Sequence, residues 1–286
     1  MQRKPDWLKI KLEGGENYAE VKKIVETNHL HTICSSGKCP NMCKCWNMGT
    51  ATFMILGDIC TRACKFCATA TGKPLPPDVS EQQKVSESIA IMKLKHCVIT
   101  SVDRDDLADK GATFWANTIL AVKKRNPQTI VEVLTPDFDN IDANLQIVFA
   151  SKPDIFGHNV ETVKRLSSQI RSRAKYENSL DVIAKAGAVG LITKSGLMVG
   201  LGETEDEVLQ TLHDLRSVGC NMVTIGQYLQ PTRQNIEVQQ YITPQQFENF
   251  KQSALAMGFD SVESAPLVRS SFMAERSFIH SKIQKK

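Results

Sequence analysis

The chain has 286 residues, of which 42% are hydrophobic and 23% are charged, and its formal net charge is +4. This composition predicts an α/β globular protein with a substantial core, and the small net charge gives no reason to expect a nucleic-acid partner. No stretch approaches the roughly 20 apolar residues that cross a bilayer, and the first residues lack the apolar segment of a secretory signal, so we predict a cytoplasmic protein with no membrane partner.

The predicted elements alternate between strands and helices after a first segment, residues 1–48, that contains one helix at 18–27. Strands are predicted at 53–57, 97–101, 130–134, 155–158, 195–199, 222–227 and 261–263, and helices at 81–94, 113–125, 140–150, 176–186, 205–218 and 244–257. Capping boxes at Thr204 and Thr243 fix the starts of the last two helices. The alternation predicts a parallel sheet in an open or partial barrel, with its site at the C-terminal ends of the strands.

The cysteines are the most unusual feature of the sequence, because seven of the nine lie between Cys34 and Cys67. In a reducing compartment such crowding indicates metal or redox chemistry rather than disulfides. The cysteines form two triplets with different spacings, Cys34, Cys39 and Cys45 followed by Cys60, Cys64 and Cys67. The second spacing is typical of a loop around one [4Fe–4S] cluster that leaves one iron open. A zinc site is the alternative, although zinc takes four ligands.

The second triplet, within CTRACKFC, resembles the motif of the radical S-adenosylmethionine (SAM) superfamily. The resemblance implies a partial (β/α)6 barrel in which Cys60, Cys64 and Cys67 hold the cluster that binds SAM at its open iron. It also implies that reductive cleavage of SAM gives a 5′-deoxyadenosyl radical, which abstracts hydrogen from an unactivated carbon. Phe66 then packs near the adenine, or alternatively serves only in loop packing.

The whole chain resembles the lipoyl synthase family through its motifs KPDWLK, CxxxxCPNxxxCW, GDxCTRxCxFC, TSVDRDDL, GHNVETV, SGLMVGLGE, GQYLQPT and RSSxxA. The resemblance implies an auxiliary [4Fe–4S] cluster that donates sulfur and is held by Cys34, Cys39, Cys45 and Ser271. It divides the chain into an extension with auxiliary-cluster ligands (1–48), a radical SAM core barrel (49–264) and a C-terminal extension with the serine ligand (265–286). Cys43 departs from the pattern and is interpreted as a bystander, and Phe272 and Met273 replace the Tyr-His that often follows the serines.

The resemblance implies sulfur insertion at carbons six and eight of an octanoyl group on a lysine, with two SAM molecules cleaved per lipoyl group. The implied partners are octanoylated lipoyl carrier domains (2-oxoacid dehydrogenase E2 subunits and the glycine-cleavage H protein), an electron donor such as flavodoxin or ferredoxin, and an iron–sulfur cluster carrier. A biotin-synthase-like or methylthiolating radical SAM enzyme is the competing activity. A zinc-binding interaction module without catalysis is the alternative from another class.

Other candidate site residues follow predicted strands. Asn159 and Glu161 are candidate contacts to the ribose or methionine part of SAM, and Arg171 is a candidate SAM or anion contact, or else a surface ion-pair residue. The acidic run from Asp103 to Asp106 either contacts SAM or substrate or is a solvated loop. The glycine-rich stretch 196–202 is predicted to offer backbone to adenine. Cys97 and Cys220 lie in apolar stretches and are predicted to be core residues.

Overall fold

The computed structural model describes residues 3–10 and 15–272 of the chain. They form two compact units: the first comprises Ile10–Ala63 and Ala68–Phe156, and the second comprises Met1–Lys9, Cys64–Cys67 and Gly157–Lys286. Among the described residues, no helix combines the length and the apolar character that crossing a membrane requires.

The strands are β1 (His31–Thr32), β2 (Thr52–Ile55), β3 (Ile59–Cys60), β4 (Ala70–Thr71), β5 (His96–Ser101), β6 (Ile130–Leu134), β7 (Ile155–Gly157), β8 (Ile192–Val199), β9 (Met222–Gln227) and β10 (Ser261–Ala265). The helices are α1 (Glu16–Thr27), α2 (Ile33–Ser36), α3 (Met42–Asn47), α4 (Glu81–Ile91), α5 (Ala112–Arg125), α6 (Asp142–Ala150), α7 (Lys164–Ile170), α8 (Tyr176–Ala188), α9 (Glu205–Ser217) and α10 (Pro244–Ala256). Short 3₁₀ turns occur at Asp6–Leu8 and Phe138–Asn140.

The first unit is built on parallel strands, with β2 paired to β5 and β5 paired to β6. The side chains of β2 are buried along its whole length, as expected for strands covered on both faces. The short strand β1 adds an antiparallel partner to β2 that the sequence analysis did not foresee. Helix α1 packs on α3 through Tyr18 and Trp46, whose ring centroids are 5.1 Å apart, and this contact anchors the helix that carries Cys45.

The second unit contains the parallel strands β8, β9 and β10 and one large apolar core. Helix α9 begins with the predicted capping box, in which the Thr204 hydroxyl accepts from Glu207 N, and α10 begins with the equivalent box of Thr243 and Gln246. Cys220 is fully buried, as Cys97 is in the first unit, so both are core residues as predicted.

The predicted strands and long helices are confirmed, most of them within a few residues at their ends. Helix α7 was missed because it is short and no side chain caps its N-terminus. The predicted division into 1–48, 49–264 and 265–286 concerns function rather than compactness, and it stays a prediction.

Candidate metal and cofactor sites

The first cysteine triplet lies on two short helices of the first unit. Cys34 belongs to α2, and its carbonyl accepts the backbone N–H of Cys39 at 2.9 Å. Cys45 belongs to α3. Burial, and to a smaller extent the charges of Cys34 and Cys39, raise the pKa of the Cys45 thiol to about 12. The thiols of Cys34 and Cys39 therefore lie near enough to Cys45 to interact with it electrostatically.

Cys43 and Cys45 both lie on α3, where positions two apart point away from each other. The helix therefore separates Cys43 from the sulfur of Cys45, which favours the interpretation of Cys43 as a bystander.

Cys60 ends β3 and is buried in the first unit. Its sulfur accepts the backbone N–H groups of Arg62 and Asp103, each at 3.4 Å, and lies 3.6 Å from Asp103 Oδ2. Donors aimed at a sulfur favour its thiolate form, which is the form that binds metal. Burial raises the pKa of the Asp103 carboxyl to about 6, although the nearby Arg62 acts to lower it.

Arg62 is the functional-site residue that sequence reasoning missed. It is only 7% exposed, and its Nε and Nη2 donate to the two oxygens of Asp105, each at 2.8 Å. Nη2 also donates to Asp137 at 2.8 Å, and the guanidinium lies 3.3 Å from Asp103 and 3.5 Å from Asp139. Burial alone would lower the pKa of Arg62, but the hydrogen bond to Asp105 and the charges of Asp103 and Asp137 raise it.

This cluster of Arg62 with four aspartates, which we call the Arg62 clamp, fixes the start of the cysteine loop. Thr61 strengthens it, since its hydroxyl donates to the Asp103 carbonyl and accepts from Asp105 N, both at 3.0 Å. The interpretation of Asp103–Asp106 as a solvated loop is therefore wrong for Asp105, whose side chain is only 12% exposed. The only sequence signal was the cluster of acids in DRDD, and nothing local in the sequence pairs those acids with Arg62.

The end of the cysteine loop lies in the second unit, where Cys67 N donates to Cys64 O at 3.1 Å. Asn235, after the GQYLQPT motif, donates its side-chain amide to the carbonyls of Lys65 at 3.1 Å and Cys67 at 2.8 Å. Thr232 orients that amide by donating to Asn235 Oδ1 at 2.7 Å. Asn235 is a second residue that sequence reasoning missed.

Phe66 and Cys64 have different surroundings within this turn. The Phe66 ring packs against the apolar core of the second unit, which supports the loop-packing role, while its contact with adenine stays a prediction. The Cys64 sulfur lies 3.6 Å from the Ser172 hydroxyl and remains partly exposed.

The donor set suits thiolate-bound clusters. All nine cysteines are free of disulfides, and six of the seven clustered ones have the sequence spacing of two three-thiolate sites. Within residues 3–10 and 15–272, no three His, Cys, Asp or Glu side chains already stand in coordinating geometry. The fit therefore rests on the electrostatic interaction of Cys34 and Cys39 with Cys45 in the first triplet and on the amide donors at Cys60.

The candidate SAM residues Asn159 and Glu161 follow β7 in the second unit. The Asn159 amide nitrogen donates to Glu161 Oε1 at 3.1 Å and to Ser270 Oγ at 2.9 Å. Glu161 adopts a left-handed backbone, with φ of 66°, and bridges to β8 by donating its N–H to Gly196 O at 3.0 Å. A Cβ at Gly196 would lie 3.0 Å from Asn159 Oδ1, so glycine there allows the close approach of Asn159.

Arg171 is buried, so its interpretation as a surface ion-pair residue is wrong. Its Nη1 donates to Ser179 Oγ at 2.8 Å and to Val160 O at 3.3 Å, next to Asn159 in the chain. The same Ser179 hydroxyl lies 2.9 Å from His158 Nε2. Arg171 therefore braces the backbone that carries the candidate SAM residues, while its direct contact with SAM stays a prediction.

The glycine-rich stretch offers less backbone than predicted. The Glu203 carboxylate accepts the backbone N–H groups of Gly200 and Leu201, so these two amides already have an intramolecular partner. Ser271 is partly buried at the end of the described chain, and Met273 and Ala274 of the RSSxxA motif lie outside the described residues.

Comparison with known proteins gives one consistent result. Residues 54–215 match the model of the Radical SAM superfamily. The chain is 59% identical to lipoyl synthase of Parabacteroides distasonis over 275 residues, which cover 96% of this chain and 98% of that protein. It is 52% identical to the mitochondrial lipoyl synthase of Nematostella vectensis, with 96% of this chain and 94% of that protein covered.

Solved structures share the fold at low identity. Methylornithine synthase (PylB) superimposes with a TM-score of 0.52 at 12% identity, covering 81% of this chain and 80% of its own. Streptococcus suis SuiB bound to S-adenosylmethionine gives a TM-score of 0.60 at 10% identity, covering 79% of this chain and 54% of its own. With the parallel strands described above, these similarities confirm the predicted α/β fold of the radical SAM type.

Proposed function

Since this chain belongs to the lipoyl synthase family of the radical SAM superfamily, we propose that it inserts sulfur at carbons six and eight of an octanoyl group carried on a protein lysine. The product is the lipoyl cofactor, and two SAM molecules are consumed for each one made. The observation that carries the proposal beyond radical SAM chemistry in general is the first triplet, in which Cys39 donates its backbone N–H to Cys34 and both cysteines act electrostatically on the Cys45 thiol.

Two groups of residues hold the two [4Fe–4S] clusters. Cys60, Cys64 and Cys67 bind the cluster that receives SAM, and Cys34, Cys39, Cys45 and Ser271 bind the auxiliary cluster. When bound, the first cluster supplies the electron that cleaves SAM and the auxiliary cluster supplies the sulfur. The contribution of Ser271 is a hard oxygen ligand where thiolate is usual, so it is the ligand most easily released.

The rest of the chain orients these groups. The backbone N–H groups of Arg62 and Asp103 donate to the Cys60 sulfur and hold it in position for a cluster iron. Asn159 and Glu161 bind the ribose or methionine part of SAM, with Arg171 bracing or contacting the same region and Phe66 beside the adenine.

The implied partners belong to the same proposal. The substrate is an octanoylated lipoyl carrier domain, either a 2-oxoacid dehydrogenase E2 subunit or the glycine-cleavage H protein. Flavodoxin or ferredoxin supplies electrons, and an iron–sulfur cluster carrier restores the spent auxiliary cluster. The setting is the cytoplasm, because thiolate ligands have to stay reduced.

A turnover assay with an octanoyl-lysine peptide, SAM and reductant tests the proposal by mass spectrometry. The wild-type protein, purified anaerobically, is expected to contain about eight irons and eight sulfides and to add two sulfurs to the peptide. Cys64→Ala is expected to abolish SAM cleavage. Cys39→Ala is expected to cleave SAM without adding sulfur, and the matched control Cys43→Ala is expected to retain full activity.

Two results would contradict the proposal. Stoichiometric zinc without labile sulfide would exclude both clusters and favour a zinc-binding module. Lipoyl product from the Cys39→Ala variant would show that the first triplet does not hold the donated sulfur.

A further inference from the structure

The C-terminal segment of the described chain is seated across the end of β9 in the second unit. Gln227 N donates to the Pro266 carbonyl at 3.3 Å, and Val268 N donates to the Ala265 carbonyl at 3.0 Å. A Cβ at Gly226 would lie 2.1 Å from the Val268 carbonyl oxygen, so the close approach of this segment requires glycine there. The segment therefore has a defined path that delivers Ser270 and Ser271 to the candidate SAM residues.

The Asn159 side chain joins that segment to Glu161. A carboxamide nitrogen carries two hydrogens, and both are engaged, one by Glu161 Oε1 at 3.1 Å and one by Ser270 Oγ at 2.9 Å. The opposite face of the amide is closed, because Asn159 Oδ1 lies against β8 at Gly196. An acceptor that takes a hydrogen from Asn159 therefore displaces either the carboxylate of Glu161 or the hydroxyl of Ser270.

We propose that Ser270 is a positioning residue that couples SAM binding at Asn159 to the iron ligand Ser271. The inference rests on the proposed function, in which Asn159 contacts SAM and Ser271 binds the auxiliary cluster. The displaced partner is Ser270, because its bond is between neutral groups whereas the Glu161 carboxylate makes a charge-assisted bond. Binding of SAM then breaks the bond between Asn159 and Ser270, and the segment that carries the neighbouring Ser271 loses one of the contacts that hold it in place.

This competition has a defined size and is reciprocal. One neutral hydrogen bond contributes about 1 kcal/mol, which corresponds to about a fivefold change in an equilibrium constant. Because coupling is reciprocal, the factor by which SAM weakens the bond between Asn159 and Ser270 is also the factor by which that bond weakens the binding of SAM. The serine ligand is thereby held firmly before SAM arrives and more weakly while SAM is bound, which is when sulfur is to be donated.

The SAM dissociation constant of the cluster-loaded protein tests this coupling. Measured by equilibrium dialysis with labelled SAM, Ser270→Ala is expected to bind SAM about fivefold more tightly than wild type. Ser270→Thr keeps the hydroxyl and is expected to behave as wild type. Ser264→Ala is the matched control, since it also removes one hydrogen bond of a serine hydroxyl in the second unit, the bond that Ser264 on β10 donates to the Phe247 carbonyl of α10 at 2.7 Å.

Hydrogen exchange supplies the reciprocal measurement. Saturating SAM is expected to accelerate amide exchange in residues 266–272 of the wild-type protein, and Ser270→Ala is expected to exchange fast with or without SAM. Unchanged or weaker SAM affinity in Ser270→Ala, or exchange in this segment that SAM does not alter in wild type, overturns the inference while leaving the proposed function intact. A cluster-loaded wild-type protein that binds no SAM overturns the proposed function and this inference with it.

Discussion

Replacement of Arg62 by lysine tests whether the Arg62 clamp holds the start of the cysteine loop. Arg62 makes three hydrogen bonds of 2.8 Å, two to Asp105 and one to Asp137, in a buried position. Lysine keeps the positive charge but has a single nitrogen, so it cannot reproduce the paired contact. Loss of two charge-assisted bonds, with the buried carboxylates left partly unpaired, predicts that Arg62→Lys lowers the free energy of unfolding by about 3–5 kcal/mol.

The matched control is Arg165→Lys, because Arg165 makes an equivalent paired contact with Glu207, at 2.6 and 2.9 Å, on the protein surface. Solvent screens that pair, so its replacement is expected to change stability far less. Anaerobic urea denaturation of the cluster-loaded proteins gives both values, and iron content before denaturation shows whether Cys60 still holds its cluster. Equal losses in the two variants would refute the idea that burial makes the Arg62 clamp strong.

Two further predictions concern the hydrogen bonds of Glu81 and of Asn235. Glu81 accepts Leu56 N at 2.7 Å, and burial raises the pKa of its carboxyl from 4.5 to about 7, so its contribution to stability is present below pH 4.5 and is lost as the pH rises to about 7. The free energy of unfolding, measured by denaturation at pH 5 and pH 8, should therefore rise in Glu81→Gln relative to wild type by up to about 3 kcal/mol at the higher pH. Parallel pH profiles of the two proteins would contradict this. Asn235→Asp, which exchanges the donor bonded to Lys65 O and Cys67 O for an acceptor, should accelerate iron loss in air about tenfold as followed by absorbance. Gln245→Glu, an exposed amide-to-acid change on α10, is its control, and equal rates of iron loss would exclude a clamping role for Asn235.

Local signals in the sequence account for the parts of the fold that were predicted well. Strands β6 and β9 match their predictions residue for residue, because each is a short apolar run between clear breaks. Helices α9 and α10 begin at their predicted capping boxes, since the cap and its partner lie three residues apart. The antiparallel strand β1 has only two residues and no such signal, so it emerges only from its pairing with β2.

The sequence predicted those parts of the site that depend on residues close together in the chain. Spacing separated the two cysteine triplets, but it did not reveal Arg62, whose partners Asp137 and Asp139 lie 75 and 77 positions further along the chain. The same holds for Asn235, which reaches the carbonyls of Lys65 and Cys67 from about 170 positions away. Such contacts depend on which strand ends lie next to each other in the fold, and no local pattern in a single sequence predicts that.

The residues between the cysteines of CTRACKFC are therefore more than spacers. Thr61 and Arg62 fix the start of the loop through carboxylates and a backbone carbonyl, whereas Lys65 and Cys67 fix its end through carbonyls that accept from one neutral amide. A metal-binding loop needs its ligands held by rigid surroundings if the bound group is to keep a defined geometry. The Arg62 clamp is weakened by substitutions that change its charges, whereas the support at the end of the loop is weakened by loss of the Asn235 amide. The cysteine spacing thus predicts which atoms bind metal, while the contacts of the residues in the loop determine how firmly those atoms are held.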